Sequence, residues 1–249
     1  MKLDYMVADP AGNITVFVLS DVPKEQYVPV AEHFLADPAL KAEQVGFVKP
    51  PILGGEARLE MMGGEFCGNA ARSFGLLCSR GRKAVSIEIT GSSHPLQVSV
   101  TGSNAQVEMP LPQAVGDLDG TPAVIFEGIV HLIVQDKKPN EGLVKQLIAA
   151  AEARFHPEAT GVLFTDGRHM TPVVYVKGTE TTVWERSCGS GTFALACFQA
   201  LKQGDGNHRF GFIQPGGLIS AQVEVKDGSV HFGTIGGPVA LSEKKQREI

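Results

Sequence analysis

Two short stretches, Phe66-Cys67-Gly68-Asn69 and Ser187-Cys188-Gly189-Ser190, constrain this chain more than any other feature. Their cysteines lie 121 positions apart in a chain of 249 residues. Each stretch runs directly into an apolar segment with helical spacing, Asn69–Arg80 and Thr192–Lys202. Each of those segments carries a second cysteine, Cys78 and Cys197. Further along, Leu96-Gln97-Val98-Ser99-Val100 is echoed by Ala221-Gln222-Val223-Glu224-Val225. Such a repeat predicts a duplicated domain, in which each half builds its own sheet and core around a Cys-Gly helix start.

The remaining pattern fits two mixed helix-and-strand halves. Ile14–Leu19, Gln44–Val48 and Ala57–Met62 read as strands. Tyr27, Val30, Ala31, Phe34 and Leu35 share one helical stripe that starts near Pro29. Ser86–Thr90, Leu96–Val100 and Ala105–Met109 alternate and read as a meander. The second half repeats this order. Strand runs fall within Val124–Gln135, a helix over Leu143–Phe155, and strands at Val162–Phe164 and Val173–Val176. The Thr192–Lys202 helix follows, then strands at Phe212–Ile213, Leu218–Val225 and Val230–Phe232. Pro110, Pro112, Gly116, Gly120 and Pro122 cluster between the halves. The expected domains are therefore residues 1–114 and 115–249, with the last strand free to return to the first domain. The charged tail Ser242–Ile249 is expected to fray.

Composition excludes several classes. A chain that is 43% hydrophobic and 20% charged buries enough surface to offset its chain entropy, so disorder is excluded. A net charge of −5 without a run of Lys or Arg speaks against a nucleic-acid partner. No stretch of about 18 apolar residues predicts a membrane span, and the N-terminal stretch does not read as a signal peptide. The expected location is the cytoplasm, where thiols stay reduced. Four cysteines this widely spread do not make a disulfide scaffold. The seven histidines show no ligand spacing, so no metal site is expected; His131, in a strand-like run, stands out among them. The paired glycines lack both phosphate-loop patterns and read as turns.

A cysteine at a helix start meets unpaired N–H groups and the positive end of the helix dipole. Both favour thiolate. The same N–H groups, at Gly68-Asn69 and Gly189-Ser190, suit a carboxylate ligand, and Asn69 and Ser190 are good cap residues. Two such elements suit removal of a proton from a carbon next to a carboxylate and its return on the opposite face. Cys67 and Cys188 are the candidates for that chemistry, without a cofactor. Cys78 and Cys197 read as packing.

At these residues the chain resembles the diaminopimelate epimerase family of cofactor-independent amino-acid racemases. The resemblance spans nearly the whole sequence. It implies an α+β fold of two pseudo-symmetric domains, each a curled antiparallel sheet around a central helix. Pro10-Ala11-Gly12-Asn13 resembles a motif whose Asn helps bind substrate, and Gln44 falls on a substrate-contacting Gln. The family's residues for a second amino-acid end are missing: Thr179-Glu180, Ile129-Val130-His131 and Ala159-Thr160 stand in their places. Diaminopimelate is therefore expected to be a poor substrate, since its distal charges would be left unpaired.

The likeness is closer to the histidine racemase subgroup of staphylopine-type metallophore synthesis. It is carried by Glu43-Gln44-Val45-Gly46-Phe47, Glu65-Phe66-Cys67-Gly68-Asn69-Ala70, Trp184-Glu185 before the second Cys motif, and Gln214-Pro215-Gly216-Gly217. This implies racemisation of histidine or a similar amino acid. Catalysis falls to Cys67 and Cys188, and binding to Asn13, Gln44, Gly68, Asn69, Glu185, Gly189 and Ser190. Glu65 and Glu185 are candidates to meet the ammonium or imidazole, Trp184 reads as core, and a homodimer is implied by resemblance alone. The other readings are diaminopimelate epimerase, a cysteine-independent isomerase relative, and a non-catalytic small-molecule-binding relative.

Overall fold

The computed structural model describes residues 1–249, which divide into two compact units. The first unit holds Met1–Glu108 and Gly236–Ile249, and the second Met109–Ile235. No helix is long and apolar enough to cross a membrane.

The first unit contains strands β1 (Lys2–Asp9), β2 (Thr15–Val18), β3 (Gln44–Lys49), β4 (Ala57–Met61), β5 (Ala84–Ile89), β6 (Leu96–Thr101) and β7 (Asn104–Glu108). They lie side by side in sequence order. Most neighbours run antiparallel, but β2–β3 and β4–β5 run parallel. A parallel pair needs a crossover, and helices α1 (Tyr27–Leu35) and α2 (Gly68–Ser79) supply the two. The helices take opposite faces of the sheet. Val16 and Val18 of β2 join Val30 and Phe34 of α1 in one buried cluster. Phe17 points the other way, its ring 5.8 Å from that of Phe74 on α2. All four residues of β2 are accordingly buried, and the consecutive apolar Val16, Phe17 and Val18 follow from that. Truncating Phe34 or Phe74 to Ala is worth about 3–5 kcal/mol on this account.

The second unit contains β8 (Ala114–Leu118), β9 (Thr121–Ile125), β10 (Ile129–Gln135), β11 (Ala159–Thr165), β12 (Met170–Val176) and β13 (Thr181–Trp184), again adjacent in sequence order. Helix α3 (Glu141–Phe155) bridges the parallel pair β10–β11. Leu132, Val134, Val162 and Phe164 pack with Val144, Leu147 and Ile148 of α3. The alternate residues of β10 and β11, among them His131, Gly161 and Leu163, therefore face the opposite side. That side is taken by α4 (Gly189–Gln203), which also packs on β14 (Gly206–Gln214) and β15 (Gly217–Lys226).

The chain then returns. Strand β16 (Ser229–Pro238) begins in the second unit, and its last residues, Gly236–Pro238, belong to the first. The tail does not fray as its charge suggested. β17 (Ala240–Leu241) and β18 (Lys245–Glu248) both pair antiparallel with β1. Leu3 and Tyr5 of β1 are buried beneath this pairing, and Lys244 and Gln246 donate to the Asp4 carboxylate. The charged side chains of the tail mark the exposed face of an edge pairing.

Two other expectations change. Trp184 is not core: it is 42% exposed at the end of β13, an edge strand, with its indole stacked on Phe164 at 6.4 Å. β14 and β16 run longer than their apolar segments: β14 begins in the exposed Gly206 and Asn207, and β16 continues past Phe232 through Gly233, Gly236 and Gly237 to Pro238. β8 and β13 escaped the reading altogether; four residues of each are exposed, so neither carries an apolar stripe.

Candidate active site

Both predicted helix starts are present, and the cysteines themselves are the caps. Cys67 and Cys188 hold extended backbone immediately before α2 and α4. Each sulfur accepts the amide three residues on, Ala70 N–H to Cys67 Sγ and Gly191 N–H to Cys188 Sγ, both at 3.4 Å. This displaces the expectation that Asn69 and Ser190 cap. Those two residues sit at the second position of each helix, and their side chains meet other partners. A thiolate at the cap gains the amide and the positive end of the helix dipole together. The amides of Gly68 and Gly189 begin each helix, outside its i→i−4 ladder.

In the first unit, Cys67 is half-buried, and its sulfur lies 3.8 Å from Asn13 Oδ1. Asn13 is itself fixed from the other end, its amide donating to the Glu43 carboxylate at 2.7 Å. Gln44, next along β3, buries its Oε1 with no hydrogen-bond partner. Asn69 is buried and accepts from Arg72 Nε at 3.1 Å. Arg72 is wholly buried inside α2, and its Nη1 donates at 3.1 Å to the carbonyls of Gly237 and Pro238. Burial lowers the Arg72 pKa to about 10, while the charges of Cys67 and Asp9 pull it back. A buried cation thus sits within electrostatic reach of the first cysteine. Glu65 is exposed, its carboxylate folded over Gly63.

In the second unit, Cys188 is 6% exposed. Burial pushes its thiol well up, and the neighbouring Glu185 carboxylate, which accepts from the thiol, pushes it further. The Ser190 hydroxyl and the Gly191 amide pull the other way. A Cβ at Gly191 would stand 2.8 Å from Leu163 Cδ2 and 3.2 Å from Cys188 Sγ, so these side chains would have to shift to admit one. Gln214 braces the turn, its Oε1 accepting from Cys188 N–H and its Nε2 donating to Thr192 Oγ1, both at 2.8 Å. Thr192 in turn donates to the Cys188 carbonyl. Ser190 Oγ lies 3.0 Å from His131 Nε2.

Asn13, Cys67, Gly68 and Asn69 thus gather in the first unit, with Gln44 beside Glu43; Glu185, Cys188, Gly189 and Ser190 gather in the second. Reading the sequence missed Glu43, Arg72, Thr192 and the bracing role of Gln214. A partial signal existed for two of them, since Glu43 and Gln214 stand inside quoted motifs. Cys197 is fully buried and Cys78 mostly so, with burial pushing the Cys78 thiol up to about 12 and that of Cys197 higher still.

Comparison with known proteins defines the class first. The fold matches that of a Bacillus anthracis phenazine biosynthesis protein of the PhzF family, with a TM-score of 0.72, 15% identity and full coverage of both chains. It also matches a hydroxyproline epimerase from Agrobacterium vitis, with a TM-score of 0.65 and 11% identity over 99% of this chain and 91% of that one. At such identities the likeness is one of fold alone. The sequence narrows it. A family model described as the histidine racemase CntK N-terminal domain matches residues 2–245. A histidine racemase of Fusobacterium nucleatum subsp. nucleatum is 35% identical over 244 residues, covering 89% of this chain and 90% of the relative. The chain belongs to this family of racemases, which are isomerases.

Proposed function

We propose that the chain racemises histidine by two-base proton exchange at the α-carbon, with Cys67 and Cys188 as the two acid/base groups. The observation that carries this reading is that the chain's two reactive-type cysteines each cap a helix through sulfur. In one direction a thiolate takes the α-proton, and the electron pair left on carbon delocalises into the carboxylate. The other thiol then delivers its own proton to the opposite face, which exchanges the roles of the pair. The helix-start amides at Gly68, Asn69, Gly189 and Ser190 supply the positive field that the growing carboxylate charge needs. The unpartnered Gln44 Oε1 awaits an N–H donor, and Asn13 and Glu185 complete the binding set. Histidine is favoured because the family model and the Fusobacterium relative carry that substrate in their names.

The test is incubation with a panel of single L-amino acids followed by chiral chromatography. D-Histidine should form, and faster than any other D-isomer. Another amino acid turning over faster would overturn the substrate, and no turnover of any would overturn the racemase reading.

A further inference from the structure

His131 is wholly buried on β10, facing the start of α4, and its Nε2 is 3.0 Å from Ser190 Oγ. Ser190 Oγ in turn is 3.6 Å from Cys188 Sγ. The hydroxyl therefore stands between an imidazole and the sulfur, and which way it points depends on where the imidazole holds its proton. The other ring nitrogen, Nδ1, is buried without a partner. It lies against Gly161, its register partner on β11, where a Cβ would come within 2.1 Å of it. A buried N–H with nothing to donate to costs more than a bare lone pair, so the proton belongs on Nε2. The ring stays neutral in this site, and Phe126 meets it at a ring separation of 6.1 Å.

We infer that His131 is a positioning residue that aims Ser190 at Cys188: His131 Nε2–H donates to Ser190 Oγ, leaving the Ser190 O–H to donate to the Cys188 sulfur. This rests on the reading of Cys188 as an acid/base group. Three groups then act on that sulfur. The Glu185 carboxylate favours the thiol, while Ser190 and the Gly191 amide favour the thiolate. Glu185 is the charged member and His131 the neutral one behind Ser190. Without His131, a serine in a helix's first turn is free to bond back to a carbonyl instead.

The experiment is alkylation of Cys188 by iodoacetamide at pH 8, followed by peptide mass spectrometry, with Cys67 of the same sample as internal reference. It needs no turnover, so it separates this inference from the racemase reading. Loss of one hydrogen bond to a thiolate lowers its population by roughly tenfold or more at a fixed pH. Ser190→Ala and His131→Leu should therefore slow Cys188 alkylation by about tenfold. Ser190→Thr and His131→Gln, which keep the hydroxyl and the N–H, should stay within about twofold of the parent. Gly161→Ala, which displaces the ring without removing it, should slow the reaction in the same sense and answers where His131→Leu does not fold. A purely structural role predicts the reverse, since a loosened site admits the reagent faster. Unchanged or faster alkylation in Ser190→Ala overturns the hydroxyl's role. The same result confined to His131→Leu and Gly161→Ala overturns the histidine's.

Discussion

The two cysteine caps are alike in backbone and unlike in surroundings. Their φ/ψ pairs, −128°/108° for Cys67 and −124°/116° for Cys188, are nearly superimposable, and each sulfur accepts its amide at the same distance. Around Cys67 stand Asn13 and the buried Arg72 cation. Around Cys188 stand deeper burial and the Glu185 carboxylate. One helix start is therefore set in a positive environment and the other in one that holds the proton. The same cap geometry occurs twice; charged neighbours only a few residues away, Arg72 beside Cys67 and Glu185 beside Cys188, give each cap its own surroundings. In the proposed reaction that division would suit Cys67 to accept a proton and Cys188 to give one.

The largest effect that would break this comparison is loss of either sulfur. Cys67→Ala and Cys188→Ala should each lower the rate of histidine racemisation by about 10³-fold or more, read by chiral chromatography. A variant that retains most of the activity would remove its cysteine from the chemistry.

A smaller effect concerns acid stability, which the second unit carries through His131. Burial lowers the His131 pKa to about 3, below its unfolded value of about 6.5. The folded state then binds fewer protons than the unfolded one between those limits. Stability from this source is complete above pH 6.5, falls as the pH drops through the window, and levels off below pH 3. The loss is of the order of 3 kcal/mol by about pH 4. His131→Gln, compared with the parent by urea denaturation at several pH values, should flatten that part of the curve. The buried Arg72 of the first unit keeps its charge over the same range and contributes no such slope. The smallest effect is a direct contrast of the caps. At pH 8 Cys67 should react with iodoacetamide more than about tenfold faster than Cys188 in the parent protein. Equal rates would erase the proposed difference.

Much of the fold was legible because it is written locally. The apolar stripe of α1, the Cys-Gly starts of α2 and α4 and the alternating β6 and β7 follow from spacing a few residues long. What escaped depends on pairing across long separations. The charged tail became strand because β1 offered an open edge more than 230 residues earlier. Arg72 reads as a polar break in an apolar helix until carbonyls of the returning strand reach it. In the site, the cysteines were visible as a repeat, whereas the contact between His131 and Ser190 spans 59 residues and leaves no local pattern. The exposure of Trp184 was hidden for a related reason, since composition cannot tell an edge strand from an inner one.

Proton exchange by two bases from opposite faces is read in the fate of deuterium. L-Histidine is turned over in D₂O, stopped at low conversion, and both enantiomers are separated and weighed by mass spectrometry. A two-base site takes the α-proton with one sulfur and returns a solvent-derived deuteron from the other. The D-histidine formed should therefore carry α-deuterium while the recovered L-histidine stays protiated. Deuterium entering the recovered L-histidine as fast as the product, or product that keeps the original proton, would mean a single base serving both faces and would rule out the two-cysteine exchange.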